Sequence, residues 1–146
     1  MTNKPRKVGT LSESGLVNWL TAQGIPAKRE VLHGNADQGD VWIWGGQVVI
    51  EVKSRRTRPS DEELTRMFAE AEAEAARVTQ CDAAVLVIKR PGRANRRAGD
   101  WWAFTTVGDF LWLLGVDEDA GAVSKSLLQI TVADLTAILK ARQANK

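Results

Sequence analysis

Apolar residues recur at helical intervals over about 11–23, where Leu16, Trp19 and Leu20 fall on one face ahead of Gly24. Thr10-Leu11-Ser12-Glu13 has the spacing of a capping box, so the first helix is expected to begin there. Residues 26–33 read as extended and 34–39 as a turn-rich loop. Segments 41–44 and 47–53 read as strands around Gly45-Gly46, which predicts a tight hairpin. Ser60-Asp61-Glu62-Glu63 is a second capping box, and Leu64, Met67, Phe68, Ala71, Ala75 and Val78 trace the apolar stripe of a helix over about 61–79. The unbroken apolar run 83–88 has the pattern of a strand covered on both faces, with 101–105 as its partner across the basic loop 91–99. Two further helices are expected at 106–115 and 131–143, the last carrying Val132, Leu135, Ile138 and Leu139 inward. The order α-β-β-β-α-β-β-α-α predicts an α/β or α+β domain whose mixed central sheet is flanked by helices.

At 146 residues the chain is expected to form one domain: a basic arm over 1–9, a core over 10–90, and a remainder over 91–146 with the basic loop, a strand and the C-terminal helices. Hydrophobic residues at 44% and charged residues at 26% exclude wholesale disorder and collagen-like repeats. No apolar run approaches the roughly 20 residues of a membrane span, and the basic arm is followed by no apolar signal region. No membrane association is expected. One cysteine, Cys81, precludes an internal disulfide, and one histidine, His33, precludes a multi-histidine zinc site. A reducing, cytoplasmic location is expected. A Ser–His–Asp or Cys–His mechanism would have to run through His33, which disfavours nucleophilic side-chain catalysis.

The net charge of +2 is small, but its distribution is uneven. Basic clusters lie at Lys4, Arg6 and Lys7, at Lys53, Arg55, Arg56 and Arg58, and at Lys89, Arg90, Arg93, Arg96 and Arg97, while acids gather at 61–74 and 117–119. Such segregation suits a phosphate-binding face, although a basic run can equally be a solvated loop.

The hairpin carries the chemistry. If residues 44 and 47 flank a two-residue turn, Trp42 faces Val49, Val41 faces Ile50, and Asp40 faces Glu51. Val41, Ile43, Val48, Ile50 and Val52 then form the apolar face, which leaves Asp40, Glu51 and Lys53 together on the other. Opposed carboxylates repel unless a proton or cation intervenes, and oxygen-only donors suit Mg²⁺ or Mn²⁺. The bland alternative makes Asp40 a turn residue and Glu51–Lys53 a surface charge pair.

Glu13 in the first helix, Gly24 at its end, Arg29, Gly39-Asp40 and Glu51-Val52-Lys53 together resemble the PD-(D/E)XK nuclease superfamily, and more closely the archaeal-type Holliday-junction resolvases and their phage relatives. The segment 32–41 is similar to the Gly-x-x-Asp-x-Gly-Asp stretch of phage-encoded members. The resemblance covers about 9–90. Two departures stand out: Gly39 replaces the proline of the motif, and Ser14 follows Glu13 where archaeal resolvases tend to carry arginine.

The resemblance implies a restriction-endonuclease-like core in the order α-β-β-β-α-β, and a Mg²⁺-dependent, structure-selective DNA endonuclease, with Mn²⁺ as a substitute metal. Asp40, Glu51, the Val52 carbonyl and Glu13 would hold the metal, with Lys53 as a further catalytic group. It further implies a homodimer that resolves four-way junctions, in a host cytoplasm if the chain is phage-encoded. Glu13 keeps two readings, capping residue or helix-borne ligand. Arg29 is a phosphate clamp on the resemblance alone. Asp37 reads as a loop residue rather than a supporting acid, and His33 as structural or exposed. Arg55 and Arg56 beyond the hairpin, and Arg93, Arg96 and Arg97 in a loop flanked by Gly92 and Gly99, are candidate DNA-backbone contacts. Trp42 and Trp44 are both placed on the face of the charged trio, and Trp101, Trp102 and Trp112 in the C-terminal core or a subunit interface. Two competing functions stand beside this one: a repair or restriction-like nuclease of the same superfamily, and a noncatalytic nucleic-acid-binding protein.

Overall fold

The architecture was established from a computed structural model, which describes residues 4–30, 39–116 and 125–146, with side chains from residue 11 onward. His33 and Asp37, and the expectations attached to them, lie outside the described residues.

The chain runs α1 (Lys4–Ala22), β1 (Ala27–Arg29), β2 (Val41–Ile43), β3 (Val48–Ser54), α2 (Asp61–Ala75), β4 (Ala83–Lys89), β5 (Trp102–Thr106), α3 (Val107–Leu113), β6 (Leu127–Thr131) and α4 (Val132–Ala144). The strands form one sheet in the order β1-β2-β3-β4-β5-β6. All neighbours are antiparallel except β3 and β4, which are parallel and joined through α2. The fold class is therefore α/β, with a mixed sheet between helices.

Strand alternation sorts the two faces. Val41, Ile43, Val48, Ile50 and Val52 pack with Leu16 and Leu20 of α1 and Leu135 and Leu139 of α4. Val49, Ala84, Leu86 and Ile88 pack on the other face with Leu64, Met67 and Phe68 of α2. Strand β4 is buried from Ala83 to Ile88, as an apolar run covered on both sides must be.

Ser60 caps α2 as expected, its hydroxyl accepting from the Glu63 N–H at 3.2 Å, while the Glu63 carboxylate accepts from that hydroxyl at 3.4 Å instead of completing the box on the Ser60 backbone. The box expected at Thr10 does not form, because α1 already begins at Lys4. Thr10 and Glu13 are helix-interior positions, and part of the supposed basic arm is helical. Pro5 sits in the first turn, where a missing N–H costs no intrahelical bond.

The hairpin register is as expected over Val41↔Ile50, Trp42↔Val49 and Ile43↔Val48. Its turn is not a two-residue one: Trp44–Gly46 form a 3-10 turn in which all three residues have positive φ, 51° at Trp44. That conformation carries Trp44 to the face opposite Trp42. Trp44 packs on the α1/α4 core and its Nε1 donates to Gln143 Oε1 at 2.8 Å, whereas Trp42 packs on the α2 side.

Strand β6 was not foreseen, and α2 ends at Ala75, short of 79. The loop 91–99 is also less free than its glycines imply. Residues Asn95–Asp100 form a 3-10 segment with Ala98 and Gly99 buried, and a Cβ on Gly99 would lie 2.5 Å from the Trp19 ring. Trp101 is fully buried, its Nε1 donating to the Arg93 carbonyl at 3.0 Å.

Candidate active site at the end of β2 and β3

Asp40 stands just beyond the last paired residue of β2, held by its backbone from both sides. Its N–H donates to the Ile50 carbonyl at 3.0 Å, and its carbonyl accepts from the Glu30 N–H at 2.9 Å. Its carboxylate Oδ2 accepts from the Val52 N–H at 2.8 Å. A side chain therefore takes over the ladder position that β2 no longer fills. Gly39 permits this bend: its φ is +84°, and a Cβ there would meet Val49 Cγ1 at 2.4 Å. A proline, with φ near −65°, could not adopt that conformation, which accounts for glycine at the position.

This differs from the simple cross-strand picture, in which Asp40 faced Glu51. The ladder ends at Val41↔Ile50, and the bend takes Asp40 out of strand alternation. Its carboxylate also acts on Glu13 of α1. Burial first, and then the Asp40 charge, push the Glu13 carboxyl above the usual carboxylate range, against the lowering effect of Arg29. Arg29 Nε donates to Glu13 Oε2 at 3.1 Å. Glu13 is thus neither an N-cap partner nor isolated; it joins α1, β1 and the bend at Asp40.

Glu51 lies between Ile50 and Val52, so alternation turns it to the face of Val49 and α2. It is 6% exposed, and its Oε2 is buried with no hydrogen-bond partner among the described residues. Its other oxygen lies 3.7 Å from Lys53 Nζ, on a side chain that retains 27% exposure. Alternation aims the Val52 carbonyl toward the β2 side, the edge at which Asp40 sits. The centre thus contains two contacts, Glu13 with Asp40 and Glu51 with Lys53, on either side of Val52, whose N–H the Asp40 carboxylate accepts.

The donors are all oxygens, and one of them is a buried carboxylate oxygen without a partner, which is the chemistry a hard divalent cation requires. Among the described residues, no three acidic, histidine or cysteine side chains are gathered closely enough to hold an ion.

The candidate DNA contacts divide similarly. Arg55 and Arg56 are exposed just past β3, and Arg55 donates to the Ser54 carbonyl. Arg96 is exposed. Arg93 and Arg97 both pair with Asp100, at 3.3 and 2.9 Å. Arg58 is structural, donating to Gln129 at 2.7 and 3.1 Å and lying over the Phe104 ring. Sequence reasoning missed the pairing of Arg29 with Glu13, because contacts across sixteen residues leave no local pattern. It also left Lys89 and Arg90 without a role, although each follows a buried strand as Ser54 and Arg55 do.

The fold and site together define an α/β domain with a carboxylate-rich, lysine-bearing centre at the end of a strand pair. No family model matches the sequence, and no curated protein matches it. Among solved structures the chain is similar to Hjc, a Holliday junction resolvase from the archaeal hyperthermophile Archaeoglobus fulgidus, with 18% identity, a TM-score of 0.40, and coverage of 88% of this chain and 98% of that one. No helix among the described residues is long and apolar enough to cross a membrane.

Proposed function

We propose that this chain is a metal-dependent DNA endonuclease of the PD-(D/E)XK type, which acts on four-way junctions as a homodimer. One observation carries the reading: Glu51 is buried with an unpartnered oxygen, beside a lysine and one residue from the peptide that anchors Asp40. A fold does not keep such a carboxylate for stability, since an unsatisfied buried acceptor costs about 1–3 kcal/mol. Its retention has the character of a functional compromise.

Asp40, Glu51 and the Val52 carbonyl would hold Mg²⁺, with Glu13 as a further ligand and Mn²⁺ as a substitute. When bound, the ion supplies acidification of water and stabilisation of the departing oxygen. Lys53, whose side chain reaches solvent, places an ammonium where it can orient the water or counter the charge on the phosphate. Arg29 holds Glu13 toward Asp40. Arg55, Arg56 and Arg96 offer exposed guanidinium groups to the DNA backbone, while Arg93 and Arg97 are oriented by Asp100. Paired incisions across a junction need two centres, which a two-fold dimer provides.

The competing reading is a noncatalytic nucleic-acid-binding protein, favoured by the absence of a three-acid cluster among the described residues. A labelled mobile four-way junction and a linear duplex, each incubated with Mg²⁺ or with chelator, separate the alternatives. Paired symmetric nicks on the junction, dependent on Mg²⁺, are expected. Equal cutting of duplex indicates a nuclease with a broader substrate, and binding without cutting indicates the noncatalytic protein. Lys53→Ala is expected to lose about a hundredfold or more in cleavage at a temperature where it is folded and to keep its DNA affinity, while its melting temperature falls because the buried Glu51 carboxylate loses the cation that offsets it. A fully active Lys53→Ala protein would overturn the catalytic role.

A further inference from the structure

Strands β3 and β4 run parallel with Ser54 paired to Lys89, so both chains leave the sheet at the same end. The residues at that exit are Ser54-Arg55 on one side and Lys89-Arg90 on the other. Between them and the turn that follows lies a cavity of about 340 Å³, also lined by Arg93. Four cationic side chains line it and, among the described residues, no acidic one does.

Three of the four cations, Arg55, Lys89 and Arg90, meet partners that carry no charge. Lys89 Nζ donates to Asn95 Oδ1 at 3.2 Å and lies 5.6 Å from the Trp101 ring centre. The Arg90 guanidinium lies 5.7 Å from the Trp102 ring centre. Arg55 donates to the Ser54 backbone carbonyl at 2.9 Å, and Arg93 meets a carboxylate, Asp100, which lies outside the lining. Rings and amides fix positive groups in place without neutralising them. The three like charges left unneutralised in this way repel one another, and an anion relieves the repulsion. The carboxyl ends of parallel strands are also where open α/β sheets receive ligands.

We propose that this cavity is a phosphate pocket, which seats a backbone phosphate of the nucleic acid next to the one positioned at Glu51 and Lys53. The inference rests on the nuclease reading for the identity of its ligand. Arg55 stands four residues beyond Glu51, about 13 Å along an extended strand, a distance that about two nucleotides of extended backbone can span. Arginine at Arg55 and Arg90 presents forked donors to two phosphate oxygens, and the Lys89 ammonium adds a point charge.

The test is a salt titration of binding to a fluorescein-labelled four-way junction, with chelator present so that no cleavage intervenes. The proteins are wild type, Arg55→Gln/Arg90→Gln, and Arg66→Gln as a control on the exposed face of α2. The double variant is expected to bind about tenfold or more weakly at low salt, and its slope of log affinity against log salt should shrink by about 0.9 for the lost phosphate. Arg66→Gln should change neither. In parallel, the ¹⁵Nε resonances of Arg55 and Arg90 in the wild type are expected to shift on adding the junction, which reports the pocket without depending on a variant's folding. Unchanged affinity and slope with unmoved resonances, in a wild type that binds and cuts DNA, overturn the pocket and leave the nuclease standing. If the wild type binds no nucleic acid but inorganic phosphate shifts those two resonances, the pocket stands and the nuclease reading falls.

Discussion

Replacing Glu51 by glutamine should remove the cost of its buried charge at nearly constant volume. At 3.7 Å, and with an effective dielectric near 20, the attraction of Glu51 to Lys53 is worth roughly 4 kcal/mol. Desolvating a carboxylate that is only 6% exposed costs several kcal/mol, which roughly cancels that gain. What tips the balance is Oε2: a buried group without a partner costs about 1–3 kcal/mol and more when it is charged, so the neutral amide that replaces it sits there at lower cost. After substitution Lys53 is not stranded, because its side chain is 27% exposed and its ammonium can turn to water. Glu51→Gln is therefore expected to be more stable than wild type by about 1 kcal/mol without metal, a rise in melting temperature of about 3 °C for a domain of this size. Mg²⁺ at ten times its dissociation constant should stabilise wild type by about 1.4 kcal/mol and leave the variant unmoved, because the ligand is gone. Differential scanning fluorimetry at several Mg²⁺ concentrations, with chelator as the zero, measures both effects. A variant that melts below wild type in chelator, together with a wild type indifferent to Mg²⁺, would refute the view that Glu51 is held ready for a cation.

Gly39→Ala should destabilise the fold by about 1–3 kcal/mol, because a positive φ of 84° and a Cβ 2.4 Å from Val49 both oppose it; urea denaturation measures the loss. Cleavage under conditions where the variant is folded should fall as well, since Gly39 sets the bend that fixes Asp40. Asp109, whose Oδ2 accepts from the Ala84 N–H at 3.0 Å, has its carboxyl raised above the ordinary range by burial, reinforced by Glu72 and Asp82 and opposed by the Ala84 bond. The native state then binds more protons than the unfolded chain between the ordinary aspartate value and the raised one, so this group's contribution to stability falls as pH rises through that window. Asp109→Asn keeps an acceptor for Ala84 and should gain stability relative to wild type as pH rises through the same window, as seen in denaturation curves between pH 3 and 7. A constant difference across that range would show that Asp109 does not titrate there.

The local pattern carried far where the physics is local. The apolar stripe of α2 and its Ser60 cap, the doubly buried β4 and the β2–β3 register follow from side-chain periodicity and from alternation about a glycine turn. Strand β6 escaped because Leu127–Thr131 is short and nowhere fully buried, so it leaves no clear alternation. The start of α1 was misjudged because Thr10 and Glu13 match a cap that is also compatible with a helix interior. Trp44 was set on the wrong face because alternation presumes extended backbone, and its positive φ breaks that premise.

By itself the sequence determined which residues could do the chemistry: two acids and a lysine around a hairpin, an acid in the preceding helix, and the clusters of arginine. It also determined the face on which Glu51 and Lys53 lie, because a strand's period of two leaves no other choice. Tertiary structure alone decided how they are grouped. The bend at Gly39 lends the Asp40 carboxylate to the Val52 N–H, α1 and β1 bring Glu13 and Arg29 together beside it, and packing buries Glu51 until one oxygen has no partner among the described residues. Those outcomes depend on contacts between segments distant along the chain, whose distances and burial exist only once the sheet and its helices have packed.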